Sequence, residues 1–215
     1  MPYSNLEQLA PIINELKKIR PKSILDVGCG LGVYGYMIRV YLELYGDDEN
    51  FMKKLNGKQP WSIKMHGIEG YKGYLKYIPD WVYDKVVNDS AMKILKKIKD
   101  KQYDIALALA IVEHFDKNDG LALLNELKRV GKKVIVSVPI EWHEQTVPEN
   151  DLETHRSHWT DTDFISAGFN RFIEHPFVWI PVYEENSEET INQSINTEYN
   201  QKKKNKFNIF RLFSK

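Results

Sequence analysis

Between Ser23 and Gly32 the chain reads Ser-Ile-Leu-Asp-Val-Gly-Cys-Gly-Leu-Gly, a short apolar strand that runs into an acid and a turn with three glycines. Glycine at alternate positions lets the backbone turn sharply and lets a ligand reach main-chain N–H groups with no Cβ in the way. In the stretch that follows, 33–44, Val33, Met37, Val40, Tyr41 and Leu44 recur at helical spacing and predict a helix. Strand, glycine turn and helix make the first unit of a doubly wound α/β sheet, in which ligands sit beyond the carboxyl ends of the strands.

Two ligand classes compete for such a turn. A dinucleotide fingerprint requires G-x-G-x-x-G, but the position three after Gly30 is Val33 and the spacing is G-x-G-x-G. Asp26 stands just before the turn, where it would repel a pyrophosphate and suit a cation. The pattern Asp26-x-Gly28-x-Gly30-x-Gly32 after an apolar strand resembles the first motif of class I S-adenosylmethionine-dependent methyltransferases. In that family the acidic residue helps to place the positively charged amino-acid end of the cofactor. A nicotinamide-dependent oxidoreductase is the less favoured reading of the same turn, and a turn that only joins strand to helix is the plainest one.

The 215 residues suffice for one α/β domain with a sizeable core and a short appendage. Basic and acidic residues number 30 each, so no overall field exists to hold a polyanion, and nucleic acid is not an expected partner. Cys29 is the only cysteine, which rules out an intramolecular disulfide and makes a reducing compartment the default. The N-terminal sequence lacks the basic-then-apolar layout of a secretory signal, and the longest apolar run, 105–112, is far short of a membrane span. The expected location is cytoplasmic.

Residues 5–19 predict an amphipathic helix with Leu6, Leu9, Ile12, Ile13, Leu16 and Ile19 on one face and Pro21 beyond its end, lying against the sheet or covering the cofactor. Strands are expected at 61–68, 81–87, 103–109 and 133–138, with helices at 51–55, 91–98 and 119–130 between them. That alternation implies a parallel sheet. A short helix at 161–167 precedes strands at 169–174 and 177–183, which only His175-Pro176 separates, so this last pair must be antiparallel. The whole resembles the Rossmann-like, seven-stranded methyltransferase sheet, order 3-2-1-4-5-7-6, mostly parallel with a terminal antiparallel hairpin. The expected domain is 1–183, followed by a tail, 184–215.

The same resemblance assigns further residues. Glu69, at the end of the second strand, takes the place of the acid that accepts hydrogen bonds from both ribose hydroxyls. Asp89 and Ser90 after the third strand match the adenine site, although Asn88-Asp89-Ser90 is also good turn and N-cap chemistry. After the fourth strand, Ala110 and Ile111 would meet the cofactor through the main chain, and Glu113-His114 resembles a Glu-His ending found in many small-molecule methyltransferases. Ala110 stands where those members often carry a polar residue. The Asn/Asp-Pro-Pro-Tyr/Phe segment of base and glutamine methyltransferases is missing, which makes base methylation a minor reading.

The loop 139–159 follows the fifth strand and holds three of the six histidines. His155-x-x-His158-Trp159 resembles a subset of methyltransferases that act on sugars or other small metabolites. His114, His143, His155 and His158 are the candidate general bases for removing a proton from an acceptor hydroxyl. They equally suit a polar lid that binds substrate without titrating. A metal site is not expected, because His-x-x-His with scattered carboxylates lacks a strong ligand spacing. The implied activity is methyl transfer from S-adenosylmethionine to a small-molecule hydroxyl, and the alternative is a non-catalytic module that binds the same cofactor.

The tail separates its charge. Residues 184–198 carry five glutamates, while 202–215 carry five lysines and one arginine interleaved with Phe207, Ile209, Phe210, Leu212 and Phe213. That pattern suits peripheral contact with an anionic membrane, and a solvated tail or one packed on a partner subunit suits it as well. Oligomeric state is not encoded in any motif.

Overall fold

A computed structural model describes residues 6–47 and 49–185. The tail expected at 184–215 lies outside the described residues from 186 onward, and so does its basic segment at 202–215. No helix among the described residues is long and apolar enough to cross a membrane.

The parallel sheet is built from β1 (Ser23–Val27), β2 (Lys64–Glu69), β3 (Lys85–Asn88), β4 (Tyr103–Leu109) and β5 (Gly131–Pro139). Three short strands follow: β6 (Arg171–Phe172), β7 (Val178–Trp179) and β8 (Pro181–Glu184). The order is 3-2-1-4-5-8-6, with β7 paired to the end of β5. All pairs among β1 to β5 are parallel, while β8 runs antiparallel to both β5 and β6. The expected order therefore holds, with one refinement. The strand expected at 177–183 breaks at Ile180, so Trp179 pairs with Val138 while Val182 pairs with Ile135, and the antiparallel pair β6 and β8 is joined by residues 173–180 rather than by His175-Pro176 alone.

The third strand is shorter than expected. Trp81, Val82 and Tyr83 are apolar because they pack on the sheet rather than within it: Val82 and Tyr83 are buried beside Ile38 and Met65 in one core cluster. Alternation along the central strands divides two such cores. Ile24, Ile105, Leu107 and Ile135 face one side, under α1 (Leu9–Ile19) and α2 (Val33–Ile38). Leu25, Val27, Ala106, Ala108, Val134 and Val136 face the other. That side is covered by α5 (Ala91–Leu95), α6 (Lys117–Val130) and α7 (Asp161–Ser166). Burial on both faces explains why β4 shows no polar alternation. The remaining helices, α3 (Phe51–Leu55) and α4 (Lys72–Leu75), flank β2 in the chain.

The helix expected over 33–44 is continuous but changes character, because after α2 it continues as a π-helix over Arg39–Leu44. Its apolar face also differs from the expected one. Val33 and Tyr41 are 43% and 40% exposed, whereas Arg39 is 0% exposed. The Arg39 guanidinium donates to Glu43 Oε1 at 2.6 Å, Asp84 Oδ2 at 3.2 Å and the carbonyl of Ile63 at 2.7 Å, and its Nε donates to the carbonyl of Val82 at 2.9 Å. It also stacks 4.6 Å from the Trp61 ring. A charge this completely paired can take a core position that hydrophobic spacing assigns to its neighbours. Leu6, expected on the buried face of the first helix, is 80% exposed and lies in a short 3-10 turn, Leu6–Gln8, ahead of α1.

Candidate functional site

The strand order reverses between β1 and β4, and beyond the carboxyl ends of those strands lies a cavity of about 980 Å³. That position is where an open α/β sheet binds its ligand, and the volume lies at the upper end of what small-molecule sites enclose.

One half of the cavity comes from the glycine turn. Gly28, Gly30 and Gly32 have φ of 71°, 54° and 80°, the left-handed region that a side chain disfavours. A Cβ on Gly28 would stand 1.9 Å from Cδ1 of Ile111, so the turn and the loop after β4 close on each other only with glycine there. The Gly28 and Cys29 N–H groups donate to the carbonyl of Ile68, pinning the turn to the end of β2. Glu69 then receives the Gly30 N–H at 2.8 Å on one carboxylate oxygen and the Tyr71 N–H at 2.7 Å on the other. A carboxylate has about four acceptor positions, so two remain for a ligand.

Asp26 shares the face of β1 with Ile24 and lines the cavity at 3% exposure. The Tyr83 hydroxyl donates to its Oδ2 at 2.6 Å, and Gly35 in α2 leaves room for that ring: a Cβ there would sit 2.4 Å from Tyr83 Cζ. Burial pushes the Asp26 carboxyl up to about 6, against the pull of the Tyr83 hydrogen bond and with a smaller push from Glu69. Glu69 is raised as well, by burial first. Ser90, Ala110 and Ile111 complete this wall. Asp89 and Gly32 do not line the cavity: the Asp89 carboxylate pairs with Lys93 at 2.8 Å, and Gly32 caps α2.

Ala110, the first residue after β4, has φ of 56°, one of three non-glycine residues with positive φ among those described. Its N–H donates to the carbonyl of Ser137 on β5 at 2.9 Å. Strain of this kind at a cavity wall marks a backbone held by its surroundings. Nothing in the sequence around Ala110 signals it.

The other half joins the turn Val112–His114 to the loop after β5. The N–H groups of Arg156 and Ser157 both donate to the carbonyl of Glu113, and the Arg156 guanidinium reaches the carbonyls of His114, Thr154 and Asp151. Ser157 Oγ donates to the carbonyl of Phe115 and accepts from the Trp159 indole, which is itself core at 1% exposure. This lacing brings His155 over His114, ring centres 5.1 Å apart, with Trp142 5.9 Å from His155.

Of the four candidate histidines, His114, His143 and His155 line the cavity and His158 does not, since its Nε2 donates to the carbonyl of Ile140 at 2.8 Å. Burial lowers His114, which keeps its ring neutral at physiological pH. Glu113 is the residue that sequence reasoning left without a role. It is 3% exposed, burial pushes its carboxyl up to about 8, and its Oε2 has no hydrogen-bond partner among the described residues. A glutamate beside a histidine carries no sign of burial in the sequence; only the neighbouring Val112, 0% exposed, hints at it.

No protein-family model and no curated protein matches the chain. Solved structures do. The PH0226 protein from Pyrococcus horikoshii OT3 superposes with a TM-score of 0.57 at 16% identity, over 84% of this chain and 89% of that one. The methyltransferase domain of a bacterial Hen1 protein gives 0.53 at 20% identity, over 85% of this chain and all of that one. The bifunctional kinase-methyltransferase WbdD gives 0.53 at 15% identity, over 84% of this chain but 39% of that one. The fold is thus Rossmann-like, the sheet arrangement of these methyltransferase structures.

Proposed function

We propose that this protein transfers the methyl group of S-adenosylmethionine to a hydroxyl of a small molecule, a sugar or related metabolite. The observation that carries the reading is the acidic wall of the glycine-turn half of the cavity, where Asp26 and Glu69 stand side by side and desolvated. A desolvated acidic wall favours a ligand that brings positive charge and opposes one that brings a pyrophosphate.

When bound, the cofactor supplies an electrophilic methyl on a sulfonium, so the protein has to align rather than to activate it. Asp26 faces the ammonium end. Glu69, already oriented by two backbone N–H groups, offers its remaining lone pairs to the ribose hydroxyls. Ser90 and Ile111 border the adenine side. Across the cavity, neutral His114 with His143 and His155 surrounds the acceptor, where a nitrogen lone pair can take the hydroxyl proton. Orientation contributes most of the rate, which is why the laced loop 151–157 matters.

Calorimetry with S-adenosylhomocysteine tests the reading. Saturable binding that is lost in Glu69→Ala, with none for nicotinamide dinucleotides, is the expected result. No binding at millimolar ligand overturns it. Labelled S-adenosylmethionine offered with a panel of sugars and small hydroxyl compounds then identifies the acceptor.

A further inference from the structure

Glu113, His114 and His155 each present one ligand atom, and these atoms lie within 4.8 Å of one another. The protonation of the two rings follows from their partners. Nδ1 of His114 faces the carbonyl of Thr154 at 3.2 Å, and Nδ1 of His155 faces the carbonyl of His143 at 2.6 Å. A carbonyl can only accept, so each Nδ1 carries the proton and each Nε2 is left with a lone pair. A backbone carbonyl holding the far ring N–H is the arrangement that orients metal-ligating histidines.

The third group reaches the same conclusion independently. Glu113 is nearly fully buried with Oε2 unpartnered, so no histidine nitrogen or other donor among the described residues satisfies it. Two nitrogen lone pairs and an unpartnered, buried carboxyl oxygen therefore gather on one cavity wall, a donor set that a cation would satisfy at once. Glu153, whose charge is felt at both Glu113 and His114, deepens the negative potential there.

We propose that Glu113, His114 and His155 bind a divalent first-row transition ion such as Zn²⁺, Mn²⁺, Fe²⁺ or Co²⁺. Two imidazoles and one carboxylate suit borderline ions of this class rather than Ca²⁺ or Mg²⁺, which take oxygen ligands. In a tetrahedral site with bonds near ~2.1 Å, ligand atoms are ~3.4 Å apart, so the separations between the three ligand atoms shorten by at most ~1.4 Å on binding. Three protein ligands leave at least one coordination position toward the cavity. On the methyl-transfer reading, with which this consequence stands or falls, that position takes the acceptor oxygen and lowers the pKa of its hydroxyl. His155 and His114 then serve as ligands rather than as free bases, and the acceptor class narrows to molecules with a hydroxyl able to reach a metal.

Cobalt(II) is the probe, since its visible absorption reports nitrogen ligation directly. Titrating the metal-free full-length chain with CoCl₂ should give a band that saturates near about one equivalent, with affinity at least ~10-fold weaker in His155→Ala and in Glu113→Gln. His155 is only partly buried, so its variant keeps the fold, which circular dichroism checks. His158→Ala, outside the trio, should titrate like the parent. A titration without a saturable band, or one that is the same in His155→Ala as in the parent, overturns the inference, and so does equal loss in His158→Ala. Calorimetry with S-adenosylhomocysteine on the same metal-free protein separates the two readings. Cofactor-product binding without cobalt binding removes only the metal site, and cobalt binding without cofactor-product binding removes only the methyltransferase assignment.

Discussion

Replacing Asp26 by asparagine should make the ligand-free fold more stable and the cofactor bind more weakly. The Asp26 carboxyl is raised from 3.8 to about 6, chiefly by burial. With the folded value above the unfolded one, the stability it lends is complete below pH ~3.8, where both states are protonated, and is lost as pH rises through about 6. At 1.36 kcal/mol per unit, ionisation of this group costs the fold about 2 kcal/mol at pH 5 and about 3 kcal/mol at pH 8. Asparagine has no such cost and can still accept the Tyr83 hydroxyl, so urea denaturation should show the variant more stable by an amount that grows by about 1 kcal/mol between pH 5 and pH 8. On the proposed reading the same change removes a charged acceptor for the ammonium group of the cofactor, worth about 1.5–3 kcal/mol, so S-adenosylhomocysteine should bind ~10- to 150-fold more weakly. A stability gain that does not change with pH, or a loss at pH 8, refutes the burial argument. An unchanged dissociation constant refutes the placement of Asp26 against the cofactor.

Gly28→Ala should destabilise the fold by about 2–4 kcal/mol and abolish S-adenosylhomocysteine binding, because the new methyl meets Ile111 at 1.9 Å and φ is +71°; a variant that melts and binds like the parent contradicts this. Arg39→Met should cost about 3–5 kcal/mol in urea denaturation by leaving the Glu43 carboxylate buried without its counter-charge, held only by the N–H groups of Ser62 and Ile63, and Arg39→Met with Glu43→Leu should recover part of that. Recovery of nothing would mean that the backbone groups the pair serves, the carbonyls of Ile63 and Val82 and the N–H groups of Ser62 and Ile63, outweigh the ion pair itself. Ala110→Gly relieves a left-handed alanine at a strain of about 1–2 kcal/mol against an entropic offset of about 0.4–1 kcal/mol, so thermal melting should show a neutral to slightly stabilising change. A loss beyond ~1 kcal/mol would show that the methyl itself packs.

Where sequence reasoning went astray, the reason was a partner far away in the chain. The face of the helix over 33–44 was misplaced because Arg39 looks like a surface residue until Asp84, Ile63 and Val82 are brought to it, 24 to 45 positions away. Trp81-Val82-Tyr83 reads as a strand because core residues and buried strand residues share a composition; only packing sends the Tyr83 hydroxyl to Asp26. His155 and His158 look equivalent by spacing. The lacing of Arg156 onto the turn after β4 turns one toward His114 and the other to the carbonyl of Ile140.

The sequence by itself determined the parts whose physics is local: the strand–acid–glycine turn and the alternation that makes the sheet parallel. Local steric rules act within a few residues, so those features survive being read one window at a time. Tertiary structure alone decided which charges are desolvated and what converges on the acceptor side of the cavity. Glu113 and His155 are 42 positions apart, and whether a carboxylate is solvated, paired or left facing two imidazole lone pairs depends on the burial that both strands' loops impose together.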